Sequence, residues 1–70
     1  MDETSLQRFC RLTPREREVA TLVAEGLSNP EIAKRLGCAS GTVKVHVGHI
    51  FEKIQVESRL QLALFISDNK

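Results

Sequence analysis

His46, His49, Cys38 and a scatter of serines and threonines are the residues of this 70-residue chain that invite metal or nucleophilic chemistry. The two histidines are three apart, so on a helix they could face one ion. Zinc wants about four ligands, or three and a water. Cys38 is the nearby addition, at a position that reads as core. A hydroxyl beside His46 lacks an orienting acid at useful spacing, so no catalytic constellation forms. The sequence therefore predicts no enzyme, no metal and no cofactor. A different chemistry suits the neighbouring residues. Lys44 can donate to guanine O6 and N7, and Val45 can meet a thymine methyl. Thr42, His46 and Lys53 carry groups that reach phosphates.

Such contacts require a helix, and the stretch "ASGTVKVHVGHIFEKI", residues 39–54, at first resembles a strand. Thr42 to Val47 alternate polar and apolar, and valine and threonine favour strands. The alternation breaks at Gly48. At roughly 100° per residue, Val43, Val47, Ile50, Phe51 and Ile54 share one stripe as far as Ile54. The longer pattern predicts a helix over about 40–54. It is a poor helix by composition, since Gly costs about 1 kcal/mol and Val or Thr up to about 0.7 kcal/mol relative to Ala. Packing must hold it. Opposite the stripe, Gly41, Lys44, Val45 and Gly48 share an outer surface flanked by Thr42, His46, His49 and Lys53. Two glycines, one valine and one lysine make a face suited to close approach, with little bulk between helix backbone and base edges.

The elements that position this face are legible from their ends. "LTPRE" supplies Thr13 as cap, Pro14 in the first helical position and Glu16 to complete a capping box. Leu12 and Arg17 occupy the staple positions. Val19, Ala20, Leu22 and Val23 form the apolar stripe, and Gly26 suits a left-handed stop, giving a helix over about 14–25. "LSNPEIAKRLG" repeats the pattern with Ser28, Pro30, Glu31 and Gly37, giving a helix over about 29–36 that buries Ile32, Ala33 and Leu36. This helix, a short turn containing Gly37 and the helix over 40–54 make a helix-turn-helix at about 29–54. Ser58 and Gln61 supply a third box for a helix over about 58–66. Leu60, Leu62, Ala63, Leu64, Phe65 and Ile66 nearly encircle it, so it needs partners on more than one side. Residues 1–11 lack a period and read as a flexible tail or linker end.

Seventy residues make one small domain, whose core rarely supplies more than about 3–5 kcal/mol unaided. The chain has no Trp or Tyr and three Phe, so the core is aliphatic. The net charge is +1, mild for a nucleic-acid binder. It is unevenly spread, at −1 over residues 1–26 and +2 over residues 27–70. Cys10 and Cys38 make no disulfide framework. No run suits a signal peptide or a membrane span, so the expected location is the cytoplasm.

Taken in order, "LTPREREV", "EGLSNPEIAKRLG", "GTVKVHVGHIFEKI" and "VESR" resemble the LuxR-type DNA-binding domain over about Leu12 to Phe65. The resemblance implies an all-α, four-helix domain over residues 12–67 and sequence-specific binding of double-stranded DNA by a transcription regulator. It implies reading by the third helix and, in many members, a homodimer contact through the fourth, here Leu60, Ala63 and Leu64. Such domains usually follow a receiver or a small-molecule sensor, and RNA polymerase is a further expected partner. By position, Lys44, Val45 and Gly48 resemble the base-facing set. Thr42 and His46 resemble phosphate-side residues, joined by Lys53 and by Ser28 and Asn29 at a helix start. Two positions depart. Several members carry a longer polar or basic residue at Gly48. The family commonly has Ser at Ala39, where its loss costs about 0.5–2 kcal/mol, unless Ser40 caps instead.

Two competing readings use the same residues. A sigma-factor region-four module shares the "GLSxxEIAxxLG...GTVK" pattern but typically ends after the recognition helix, whereas "VESRLQLALFI" continues here. A truncated regulator that pairs with a full-length relative would use the apolar last helix without needing DNA.

Overall fold

Three helix starts are built by the same pair of bonds. Thr4, Thr13 and Ser28 each accept a hydrogen bond through their side-chain oxygen from the backbone N–H three residues on. The side-chain oxygens of Gln7, Glu16 and Glu31 each accept one in turn from the cap's own N–H. Two otherwise unpaired donors are satisfied at each end. In the computed structural model, which describes residues 4–68, these starts open α1 (Ser5–Cys10), α2 (Pro14–Ala24) and α3 (Asn29–Leu36). After them come α4 (Ser40–Ile54) and α5 (Arg59–Asp68). The fold is all-α, with no strand among the described residues.

The helix ends are as specific as the starts. Gly26 (φ 92°) and Gly37 (φ 72°) take left-handed conformations. After α2, Leu27 N–H reaches Leu22 O and Gly26 N–H reaches Val23 O, a Schellman closure. Cys38 N–H to Ala33 O and Val56 N–H to Phe51 O close α3 and α4 in the same way. At α4 the left-handed residue is Gln55 (φ 59°), which lacks glycine's freedom.

Helix α2 is central, packing against α5, α4 and α3, while α3 and α4 pack together as the helix-turn-helix. The expected stripes meet in one core. Val19, Ala20, Leu22 and Val23 of α2 lie beside Ile32 and Ala33 of α3 and Val43, Val47, Ile50 and Ile54 of α4. Leu62, Phe65 and Ile66 of α5 close it. Leu36 and Phe51 are only half-buried at its edge.

The sequence reading differs from the structure in three places. Residues 5–10 form a helix rather than part of a structureless tail, because Thr4 and Gln7 make a capping box and Phe9 packs on the core. Residues 1–3 of the expected tail lie outside the described residues. Ser40 does not cap α4: Ala39 is the cap residue and makes no side-chain bond. The third box is also rearranged. Ser58 accepts from Gln61 N–H, but the Gln61 amide oxygen accepts from Glu57 N–H instead of Ser58 N–H. Helix α5 also ends at Asp68, two residues past the expected end.

Candidate nucleic-acid interface

The core stripe of α4 fixes which side faces out. With Val43, Val47, Ile50 and Ile54 buried, the helical period turns Gly41, Lys44, Val45 and Gly48 outward, and all four are exposed. Val45 is 56% exposed, and among the described residues the other large exposed apolar side chains are Leu60 and Leu64. Nothing in the fold calls for glycine on this face. A Cβ built at Gly41 or Gly48 meets nothing within 4 Å, and neither residue has a positive φ. Their smallness therefore answers to no packing need inside the protein. Thr42 and His49 flank the face and are exposed, while His46 is half-buried.

Lys53 sits apart from this set. Its Nζ lies 2.7 Å from Oε1 of Glu16, a residue only 4% exposed. The same oxygen accepts from Thr13 N–H at 2.9 Å. Burial pushes the Glu16 carboxyl pKa up, but the Lys53 ammonium and the Thr13 bonds outweigh it and hold it below its ordinary value. Glu16 thus ties the start of α2 to the last turn of α4. A guanidinium nitrogen of Arg11 also donates to the Lys53 carbonyl at 3.3 Å. The sequence shows Glu16 only as a cap partner, since its second role spans 37 positions.

At the start of α3 the donors are few. The box occupies the backbone N–H groups of Ser28 and Glu31, and Pro30 has none. The Glu31 carboxyl, bonded by Ser28 N–H, is held below its ordinary pKa. Asn29 remains, with a backbone N–H that meets no acceptor among the described residues. Its side-chain oxygen accepts from Arg59 Nη1 at 2.7 Å. Arg59 Nη2 donates to Leu27 O at 2.7 Å. No sequence signal pairs residues 29 and 59.

On α5 the exposed residues Leu60 (69%) and Leu64 (58%) lie one turn apart, with half-buried Ala63 between them. No group of three or more metal-ligating side chains exists among the described residues. None of the described helices is long and apolar enough to cross a membrane.

Comparison with known proteins agrees with this geometry. Residues 11–66 match the family described as "Bacterial regulatory proteins, luxR family". The nitrate/nitrite response regulator protein NarL of Escherichia coli K12 is 43% identical over 60 residues, 86% of this chain and 28% of NarL. The two-component response regulator PprB of Pseudomonas aeruginosa is 42% identical over 59 residues, 84% of this chain and 22% of PprB. The solved structure of the response regulator StyR superposes with a TM-score of 0.87 at 41% identity, over 91% of this chain and 32% of that one. The chain thus spans under a third of the length of these relatives. Since the matched residues contain every element from α2 through most of α5, including the helix-turn-helix, the chain belongs to the LuxR family of bacterial regulatory proteins and is its DNA-binding domain, a transcription-regulator module and not an enzyme.

Proposed function

We propose that the domain reads double-stranded DNA sequence-specifically, with α4 in the major groove. The observation that carries this is the outer face of α4, where Lys44 and Val45 stand between two glycines that no internal packing requires. Lys44 and Val45 contact base edges, and Gly48 lets the helix backbone approach them. Thr42 and His46 contact the phosphate backbone from the flank, and Asn29 does so from the start of α3, with the Ser28 hydroxyl beside it. Lys53, already neutralised by Glu16, is the weakest member of the backbone set.

Leu60, Ala63 and Leu64 form the contact with a second copy, which places two recognition helices on neighbouring half-sites. In the cytoplasm of the native host, a receiver or sensor upstream of such a domain would govern pairing, and RNA polymerase is the downstream partner. The mild charge of the chain supports this dependence, because non-specific attraction is small.

Selection from a random duplex library, followed by a salt titration, tests the reading. An enriched inverted repeat whose affinity falls with salt is the expected result. No enriched sequence, together with tight binding to a full-length regulator, would favour a protein-interaction module instead.

A further inference from the structure

We propose that Arg59 is a positioning residue for DNA binding. It does not touch the duplex but fixes Asn29 so that its donors face the phosphate backbone, an inference that rests on the DNA reading above. Guanidinium has five donors and no acceptor. The Asn29 atom that meets Arg59 Nη1 at 2.7 Å must therefore be its oxygen. The amide NH2 is turned away from Arg59, and it meets no acceptor among the described residues. The other amino group of Arg59 holds Leu27 O at 2.7 Å, just before the Ser28 cap. One planar fork thus fixes both the backbone entering α3 and the side chain of its first residue. Asn29 then presents two free donors, its backbone N–H and its NH2, at the positive end of a helix.

The place of the bridge gives it a second consequence. Arg59 opens α5, which packs on α2 and has little direct packing with α3. The fork is a polar tie between the helix proposed to pair with a second copy and the first helix of the helix-turn-helix. Losing it frees the start of α3 to shift relative to the dimer face while the core stays packed.

The test uses the duplex enriched by the selection above. Arg59→Ala should weaken binding roughly tenfold, the scale of one lost hydrogen bond to a charged group. The slope of log affinity against log salt should stay unchanged, because no phosphate contact by a cation is lost. Arg59→Lys should lose nearly as much, since one ammonium cannot span both acceptors. In an Asn29→Ala background, Arg59→Ala should cost little more. Asn29→Asp guards against mere unfolding. Its carboxylate keeps the tie to Arg59, so the melting temperature should hold, yet binding should fall because an acceptor replaces the NH2. A slope shallower by about 0.9 in Arg59→Ala would make Arg59 itself a phosphate contact. Full binding by Arg59→Lys, or multiplying losses in the double variant, would equally overturn the proposal. So would full binding by Asn29→Asp. Failure of the wild-type chain to enrich any duplex would instead refute the underlying DNA reading.

Discussion

Replacing Ala39 with serine should stabilise the domain, and the structure sets the size of the gain. Ala39 caps α4 at φ −82°, ψ 150°. Ser28 caps α3 at φ −78°, ψ 166°, so a serine at 39 needs no backbone change to aim its hydroxyl at Thr42 N–H. The equivalent bonds at the existing caps are 3.1 Å at Thr13 and 3.3 Å at Ser28. A side-chain cap is worth about 0.5–2 kcal/mol over alanine. Thr42 N–H already reaches Ala39 O at 3.0 Å, so the new bond shares a satisfied donor. The gain belongs in the lower half of that range, about 0.5–1 kcal/mol. For a domain of this size that is a rise of roughly 2–8 °C in Tm. Thermal melts read it directly, and urea unfolding should show a higher midpoint at unchanged slope. Ser40→Ala is the matched control. Ser40 is the first helical residue and is exposed, with no side-chain bond, so its loss should change Tm little. The reasoning is refuted if Ala39→Ser leaves Tm unmoved while Ser40→Ala lowers it, for then α4 begins one residue later under a serine cap.

Four further outcomes follow from the packing. Glu16→Gln should cost about 1–3 kcal/mol, less than a fully buried pair because Lys53 is partly solvated. The Glu16 carboxyl lies below its ordinary value of 4.5, so its contribution is complete above that pH and lost as pH falls through the lowered folded value. Acid unfolding of Glu16→Gln should accordingly lack this component, and a variant with an unchanged acid limb would contradict the pairing. Gly48→Lys should raise stability by about 0.5–1 kcal/mol, since the side chain meets open space on a helix. It should nevertheless weaken operator binding in a titration, because the added side chain stands between the helix backbone and the base edges, and unchanged or tighter binding would refute the close-approach role of Gly48. Val45→Glu should abolish specific binding with Tm nearly unchanged, and retained binding in a mobility shift would mean that another face reads DNA. Leu64→Lys should weaken self-association in sedimentation equilibrium without unfolding the chain, and a wild-type chain monomeric at every concentration would refute the α5 contact.

Most of the architecture is local in origin, and that is why it could be read. Thr13 with Glu16, Ser28 with Glu31, and the left-handed glycines at 26 and 37 each act within a few residues. The helix over 40–54 needed a choice between periods, and the 3.6-residue stripe through Ile54 decided it against the valine alternation. The α1 helix is hard to read although "TSLQ" has the same box spacing, because the apolar spacing of Leu6, Phe9 and Cys10 lasts little more than one turn. What could not be read is long-range polar pairing. Lys53 looks like a surface cation until Glu16 is found beside it, and Arg59 until it is seen spanning Asn29 and Leu27. Apolar periodicity carries orientation along a helix, whereas an ion pair across 37 residues leaves no periodic trace.

These pairings also bear on how a chain of such low net charge holds DNA. Of the two lysines on α4, Lys53 is turned to Glu16, which leaves Lys44 as the lysine on the outer face. Glu52 is also exposed on α4 and offsets part of that charge near the helix end. Thr42 and Asn29 can hydrogen-bond to phosphates without releasing counterions, and Lys44 is the lysine of α4 that faces outward, so each protomer's salt slope should be shallow for a helix-turn-helix. Affinity then has to come from shape, from neutral donors held in place and from doubling the contacts in a dimer. On the proposed reading, the bare glycines at 41 and 48, an Asn29 fixed by Arg59, and the exposed leucines at 60 and 64 would supply those three sources in turn. On the proposed reading, such a domain discriminates by fit more than by attraction, and pairing of two copies would raise its occupancy of DNA.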